Sequence, residues 1–151
     1  MADVAFYHLT RSRADDALPP LLAKTLAAEK RAFVCCSKEK FGPLSTAIWS
    51  RQPDSWLPHG ISGTHDSAAE SCPIWLSDKV DDNGNNADFL FFIDAQAPDD
   101  LPPAERIFII FDGTDEVIVS KARNQWQRFD GAGHALSYWQ QDDAGKWSRA
   151  R

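Results

Sequence analysis

Blocks of apolar residues alternate with amphipathic and polar segments along the chain. Residues 88–93 and 106–111 are near-continuous apolar runs, which are typical of strands covered on both faces of a parallel sheet. Shorter apolar or aromatic runs predict further strands at residues 4–9, 32–36, 72–76 and 135–139. The pattern therefore predicts a sheet of short, mostly buried strands.

Segments with helical spacing follow three of these runs. A first helix is predicted to begin at residues 15–16, with prolines 19 and 20 in its first turn, where a missing amide hydrogen costs little. A second is predicted from a cap at residue 37 to about residue 49, and a third at residues 113–129. Gly131 and Gly133 then mark a helix stop.

This alternation of strands and helices predicts an α/β fold. We expect a three-layer, Rossmann-like architecture with a mostly parallel central sheet and helices on both faces. The chain has 151 residues, of which 43% are hydrophobic, so it can bury one sizeable core. Residues 1–151 are therefore expected to form a single domain.

Residues 50–71 have the composition of a loop, with two prolines and two glycines, but they also hold Trp56 and His59 and follow Trp49. A polar loop that contains tryptophan usually packs back on its domain or contacts a partner. No run approaches the roughly 20 apolar residues needed to cross a bilayer, and the first ten residues lack a basic, signal-like start. The prediction is a cytoplasmic protein without a membrane contact.

Three cysteines, Cys35, Cys36 and Cys72, form neither an even disulfide framework nor a CxxC pair. Two of them lie inside an apolar run, where a free cysteine behaves as a small hydrophobic residue. Buried thiols are therefore predicted. The four histidines show no metal-ligand spacing, and no group of residues indicates a catalytic, metal or cofactor site.

Two predicted strands end in aspartate, at Asp94 and Asp112. An apolar run followed by Asp is similar to the magnesium-holding strand of P-loop ATPases, but the sequence contains no GxxxxGK[ST] loop. Residues 111–114 resemble the DxDGT motif of haloacid-dehalogenase-type phosphatases, yet Ile110 stands where that motif has its nucleophilic Asp. The simpler interpretation of these aspartates is a turn at the end of each strand. The alternative is a nucleotide-binding or phosphohydrolase-like enzyme that uses Asp94 and Asp112.

Charge is distributed unevenly along the chain. The total is −6, but residues 121–151 contain six Lys or Arg against three Asp, a net of +3. A cationic end that is also rich in tryptophan suggests a recognition surface. Direct binding of single-stranded DNA through this end is a weaker possibility, because the rest of the chain is acidic.

Val119, Arg123, Trp126 and Gln127 form a stripe along one side of the predicted last helix. An Arg next to a Trp can hold a carboxylate in a bidentate fork while the indole and the valine form an apolar wall. Such a stripe suits a short acidic peptide that ends in an apolar side chain and a free carboxylate. An ordinary solvated Arg beside a half-buried core Trp would show the same spacing.

Several motifs occur together in this sequence. They are AFYHL at residues 5–9, WSRQPDSWLPH at 49–59, PIWL at 73–76, ARxxW at 122–126 and YWxQxxxGKW at 138–147. The combination resembles the chi subunit of bacterial DNA polymerase III holoenzyme, an accessory subunit of the clamp-loader complex, along nearly the whole chain.

This resemblance implies a non-catalytic adaptor without a cofactor, which binds the acidic C-terminal tail of single-stranded DNA-binding protein and contacts DNA indirectly. It assigns tail binding to Arg123 and Trp126. Gln127 stands where the family has another basic residue, and Arg128, one place later, is the candidate that compensates for it in the tail-binding set. A helix turns by about 100° per residue, so Arg128 projects in a different direction.

The resemblance also implies a second protein interface. Chi proteins pair with the small psi subunit, which links them to the clamp loader, and the corresponding stretch here contains Trp49, Pro53 and Trp56. The partner at this surface is expected to be a psi-like subunit or another clamp-loader subunit.

Overall fold

A computed structural model of the protein describes residues 3–10, 13–50, 57–63, 68–94, 96–142, 144 and 146–150. Strands in this part of the chain form one sheet in the order β3-β4-β2-β5-β6-β1-β7-β8. Their bounds are β1 Asp3–Leu9, β2 Ala32–Cys35, β3 His59–Ile61, β4 Ile74–Ser77, β5 Phe89–Ile93, β6 Arg106–Asp112, β7 Ala135–Gln141 and β8 Trp147–Arg149.

Neighbouring strands in the sheet are parallel except at one edge, where β8 pairs antiparallel with β7. The central strands β5 and β6 are buried on both faces, as their continuous apolar runs predict. The predicted mostly parallel sheet is therefore confirmed. The order of its strands is not apparent from the sequence.

Helices lie on both faces of the sheet, so the predicted three layers are confirmed. They are α1 Ala14–Ala27, α2 Phe41–Ser50 and α3 Glu116–Gly131. Successive strand residues point to opposite faces, so Ala5 and Tyr7 of β1 pack in the core beneath α1 and α2. Phe6 of the same strand packs in the second core, beneath α3.

The predicted helix stop after α3 is confirmed, but α2 and α3 begin later than predicted, at Phe41 and Glu116. Asp115 caps α3, because its carboxylate accepts hydrogen bonds from the backbone N–H groups of Val117 and Ile118 at 3.0 and 3.3 Å. Past the other end of α3, Gly133 has φ +87°, a left-handed conformation that favours glycine. The prediction that prolines 19 and 20 occupy the first turn of α1 is wrong, because that helix begins at Ala14 and holds both in its second turn.

The segment 50–71 contains a strand that its composition does not indicate. Residues His59–Ile61 form β3, a three-residue edge strand parallel to β4. A strand this short, with two of its three positions only half-buried, leaves no apolar run in the sequence. Pro53 and Trp56 lie outside the described residues.

Cys35 and Cys36 are buried and Cys72 is half-buried, all three as free thiols. The prediction of buried thiols is therefore confirmed for the first two. Within the described part of the chain, none of the helices combines the length and the apolar composition that crossing a membrane requires.

Candidate functional site

An aromatic cluster joins α3 to strands β1 and β7. The Trp126 indole meets the Phe6 ring edge-on at a centroid distance of 5.2 Å and the Tyr138 ring at 5.8 Å. Phe6 and Tyr138 are themselves stacked, with centroids 6.4 Å apart. Trp126 is half-buried by these contacts. Its ring is thus held against the sheet while part of it stays at the surface, as suits an aromatic binding group.

The other residues of the predicted stripe lie on the same side of α3. Arg123 is exposed and precedes Trp126 by three residues, so the two side chains are neighbours on the helix surface. Val119 is half-buried against the core beneath α3, and Gln127 is exposed. The structure therefore brings Val119, Arg123, Trp126 and Gln127 onto the side where Trp126 meets β7.

Arg128 lies on the other side of the helix. Its Nε–H group donates a hydrogen bond to the Asp99 carbonyl at 3.0 Å, and its guanidinium is 3.9 Å from the Asp100 carboxylate. Gln125, one turn earlier, donates to the Ala97 carbonyl at 3.1 Å. This side of α3 thus contacts the segment that follows β5. The structure does not bring Arg128 next to Arg123.

A histidine and a tyrosine that are 130 residues apart in sequence meet beside this stripe. His8 Nδ1 and the Tyr138 hydroxyl are 2.7 Å apart. Burial lowers the pKa of His8 from its ordinary value, a hydrogen bond with the Gly113 backbone opposes this, and the nearby Arg123 charge lowers it further. No local pattern in the sequence indicates this pair. His8 follows Phe6 by two residues in β1. Because alternate residues of a strand point to the same face of the sheet, this spacing places His8 on the same face as Phe6.

The second predicted surface is described only in part. Trp49 lies in the last turn of α2 with 51% of its surface exposed, and its ring centroid is 4.6 Å from that of His59. His59 is fixed from both sides, because its Nδ1 is 3.0 Å from the Leu57 carbonyl and its Nε2 is 2.7 Å from the Ser45 hydroxyl. Trp49 is therefore an exposed aromatic on a well-fixed support. Pro53 and Trp56 are not in the described ranges, and so their place beside it stays a prediction.

The two strand-end aspartates line a cleft of about 580 Å³ at the carboxyl ends of β1, β5 and β6. Asp94 forms an ion pair with Lys40. Asp112 accepts hydrogen bonds from the Thr114 hydroxyl at 2.7 Å and the Thr114 backbone N–H at 2.9 Å. The hydroxyl contact holds the pKa of Asp112 below its ordinary value. The Asp94 ion pair thus joins the end of β5 to the segment before α2, and Asp112 stabilises the turn after β6.

A family model described as "DNA polymerase III chi subunit, HolC" matches residues 1–137, which is most of the chain. The chain belongs to the DNA polymerase III chi subunit family. The members of this family are replication accessory subunits, and the match confirms the resemblance seen in the sequence motifs.

The match to the chi family spans α3 and ends within β7, so it includes Arg123 and Trp126 but stops one residue before Tyr138. Comparison with curated proteins finds no match. Membership of the chi family therefore indicates a general role in replication.

Proposed function

We propose that this chi-family protein is a non-catalytic, cytoplasmic adaptor in DNA replication. It binds the acidic C-terminal tail of single-stranded DNA-binding protein on α3 and links it to the clamp loader through a second surface around Trp49. Its contact with DNA is then indirect. Family membership supports the replication role, and the side chains on α3 support the choice of ligand.

The principal support is the pairing of an exposed Arg123 with a half-buried Trp126 whose ring is held by Phe6 and Tyr138. A guanidinium binds a carboxylate through two parallel N–H donors, and its charge is permanent at physiological pH. The indole and Val119 form an adjacent apolar wall. An acidic peptide that ends in an apolar residue would satisfy both halves of this site.

Gln127 and Arg128 complete the proposed set with smaller roles. Gln127 follows Arg123 on the same side of the helix and offers amide hydrogen bonds without charge. Arg128 is engaged by the Asp99 carbonyl on the other side of α3. Its effect on the peptide is then one of charge at a distance, which salt screens over about 8–10 Å.

Calorimetric titration with an Asp-rich peptide that ends in Phe and a free carboxylate tests the site. Arg123→Ala is expected to lose about 1.5–3 kcal/mol of binding free energy, because it removes a hydrogen bond between charged groups. This corresponds to a loss of affinity of about 10-fold to 150-fold. Binding should also weaken with added salt.

Arg128→Ala is the matched control, since it removes the same charge from the same helix on the side away from Trp126. It should weaken binding by less than Arg123→Ala, and thermal melting should show that both variants are folded. An unchanged affinity in a folded Arg123→Ala variant would refute the proposed site.

The second surface is proposed to bind a psi-like subunit or another clamp-loader subunit through Trp49, Pro53 and Trp56. The exposure of Trp49 and its support by His59 favour such a contact, because large aromatic side chains are common binding anchors. This surface includes α2, whereas the peptide site is on α3 and the opposite face of the sheet. Both partners can therefore bind at once.

A further inference from the structure

The helix in the proposed peptide site runs antiparallel to the strand beneath it. Strands β6 and β7 are both parallel to β1, so the connecting helix α3 must return in the opposite direction. Trp126 is level with Phe6, which its ring contacts at 5.2 Å. Moving along β1 from Phe6 toward His8 thus corresponds to moving along α3 from Trp126 toward its first residue.

This geometry places His8 opposite the stripe. Two strand residues advance by about 6.6 Å, which brings the chain from Phe6 to His8 on the same face. Along α3, Arg123 is about 4.5 Å and Val119 about 10.5 Å from the level of Trp126. His8 therefore lies at a level between Arg123 and Val119.

The contacts of His8 define its hydrogen-bond directions. A Cβ atom on Gly113 would overlap the His8 ring at Nε2, so this edge lies directly against the Gly113 backbone. The Gly113 backbone raises the pKa of His8, so it acts as an acceptor, and we assign the adjacent Nε2–H to its carbonyl. Nδ1 of the neutral ring then accepts the Tyr138 hydroxyl hydrogen across 2.7 Å. When Nδ1 takes a proton from solvent, it becomes the donor to the Tyr138 oxygen. The Tyr138 hydroxyl hydrogen must then turn to another acceptor.

We propose that Tyr138 and His8 form a second carboxylate-binding unit of the peptide site, in which the protonated His8 ring directs the Tyr138 hydroxyl toward a peptide carboxylate. The inference rests on the proposed function. In this unit, the protonated His8 ring adds a positive charge from the sheet. On α3, the residue one turn after Arg123 is the uncharged Gln127. The phenol donates directly to the carboxylate, and the imidazolium charge lies behind it.

The groups that surround His8 favour such a response. Arg123 of α3 faces it with a positive charge, Asp112 at the end of β6 with a negative one, and Tyr138 of β7 with a hydroxyl. Burial and Arg123 together keep the ring neutral to lower pH than an ordinary histidine. A bound carboxylate neutralises Arg123 and attracts the imidazolium, so peptide binding raises the pKa of His8. By linkage, lower pH then strengthens peptide binding.

The test is a titration of wild-type protein with the Asp-rich peptide ending in Phe, at constant ionic strength between pH 8 and pH 5.5. The Asp side chains of the peptide stay ionised through most of this range, because their ordinary pKa is about 3.9. We expect the affinity to increase about threefold to tenfold as the pH falls, since a one-unit rise in pKa on binding gives at most tenfold. His8→Gln and Tyr138→Phe should both lose this increase. His134→Gln, which changes a histidine outside the stripe, should retain it.

NMR of the histidine side chains adds a readout that a purely structural role would not change. The His8 resonance should titrate at higher pH with peptide than without it, and Tyr138→Phe should reduce this difference. A carboxyl-amidated peptide identifies the carboxylate, because the pH response disappears if it is the terminal one and persists if it is an Asp side chain.

Two failures are distinguishable. If the wild-type protein does not bind the peptide at any pH, the proposed function fails. If it binds and Arg123→Ala weakens binding, but affinity is independent of pH or His8→Gln keeps the pH response, only the His8–Tyr138 inference is overturned.

Discussion

Gly113 lies in the turn between β6 and α3, and its replacement by alanine should destabilise the protein through steric overlap. Its backbone N–H donates to the Leu9 carbonyl at 2.7 Å. An added Cβ would overlap the His8 ring and lie 2.7 Å from the Leu9 carbonyl oxygen. Among the described glycines, left-handed φ angles occur at Gly63 and Gly133. Glycine is therefore required at residue 113 because there is no room for a side chain. The backbone conformation at this position does not itself require glycine.

The size of the effect follows from what must move. The Leu9 carbonyl belongs to a central strand and cannot yield without disturbing β1. His8 would have to leave its position and lose its 2.7 Å hydrogen bond to Tyr138. Overpacking of this kind costs about 1–3 kcal/mol, and the lost hydrogen bond about 1 kcal/mol. Gly113→Ala should then lower the free energy of unfolding by about 2–4 kcal/mol and the melting temperature by about 4–16 °C.

Urea and thermal unfolding of wild-type protein, Gly113→Ala and Gly131→Ala measure this difference. Gly131 ends α3, and a Cβ built there meets no atom within 4 Å. Gly131→Ala should therefore be neutral or stabilising by up to about 1 kcal/mol, because alanine restricts the unfolded chain. If Gly113→Ala unfolds within about 0.5 kcal/mol of wild type, the steric argument is wrong.

Two further predictions concern other parts of the molecule. Burial raises the pKa of Cys35 to about 11 and that of Cys36 to about 12, so less than about one in a thousand of these thiols is ionised at pH 8. Alkylation followed by mass spectrometry should therefore label Cys72 first. Rapid labelling of Cys35 in folded protein would contradict this. Trp49→Ala should reduce recovery of clamp-loader subunits in a lysate pull-down while peptide affinity stays at the wild-type value, and a loss of both would contradict the separation of the two surfaces.

The secondary structure of the central sheet followed from local sequence patterns. The apolar runs at residues 88–93 and 106–111 were long enough to predict fully buried strands, and both lie at the middle of the sheet as β5 and β6. The edge strand β3 was missed, because three residues in a segment rich in Pro and Gly leave no measurable periodicity. Strand order was also beyond the sequence, since pairing joins segments that are far apart in the chain.

Local sequence patterns likewise predicted only part of the peptide site. Helical spacing alone placed Val119, Arg123 and Trp126 on one side of α3, and the chi-family motifs assigned them a ligand class. The spacing could not show that Arg128 would meet the Asp99 carbonyl, because the angle between two side chains on a helix does not say what packs on either side.

Local periodicity is a property of consecutive residues, so the sequence by itself determined the α/β class, the positions of the main elements and the stripe on α3. The pairing of β1 with β7 is a long-range event, and it alone brings His8 within 2.7 Å of Tyr138. Only the tertiary structure decided that contact, because side chains 130 residues apart share no local signal and meet only when the sheet is assembled.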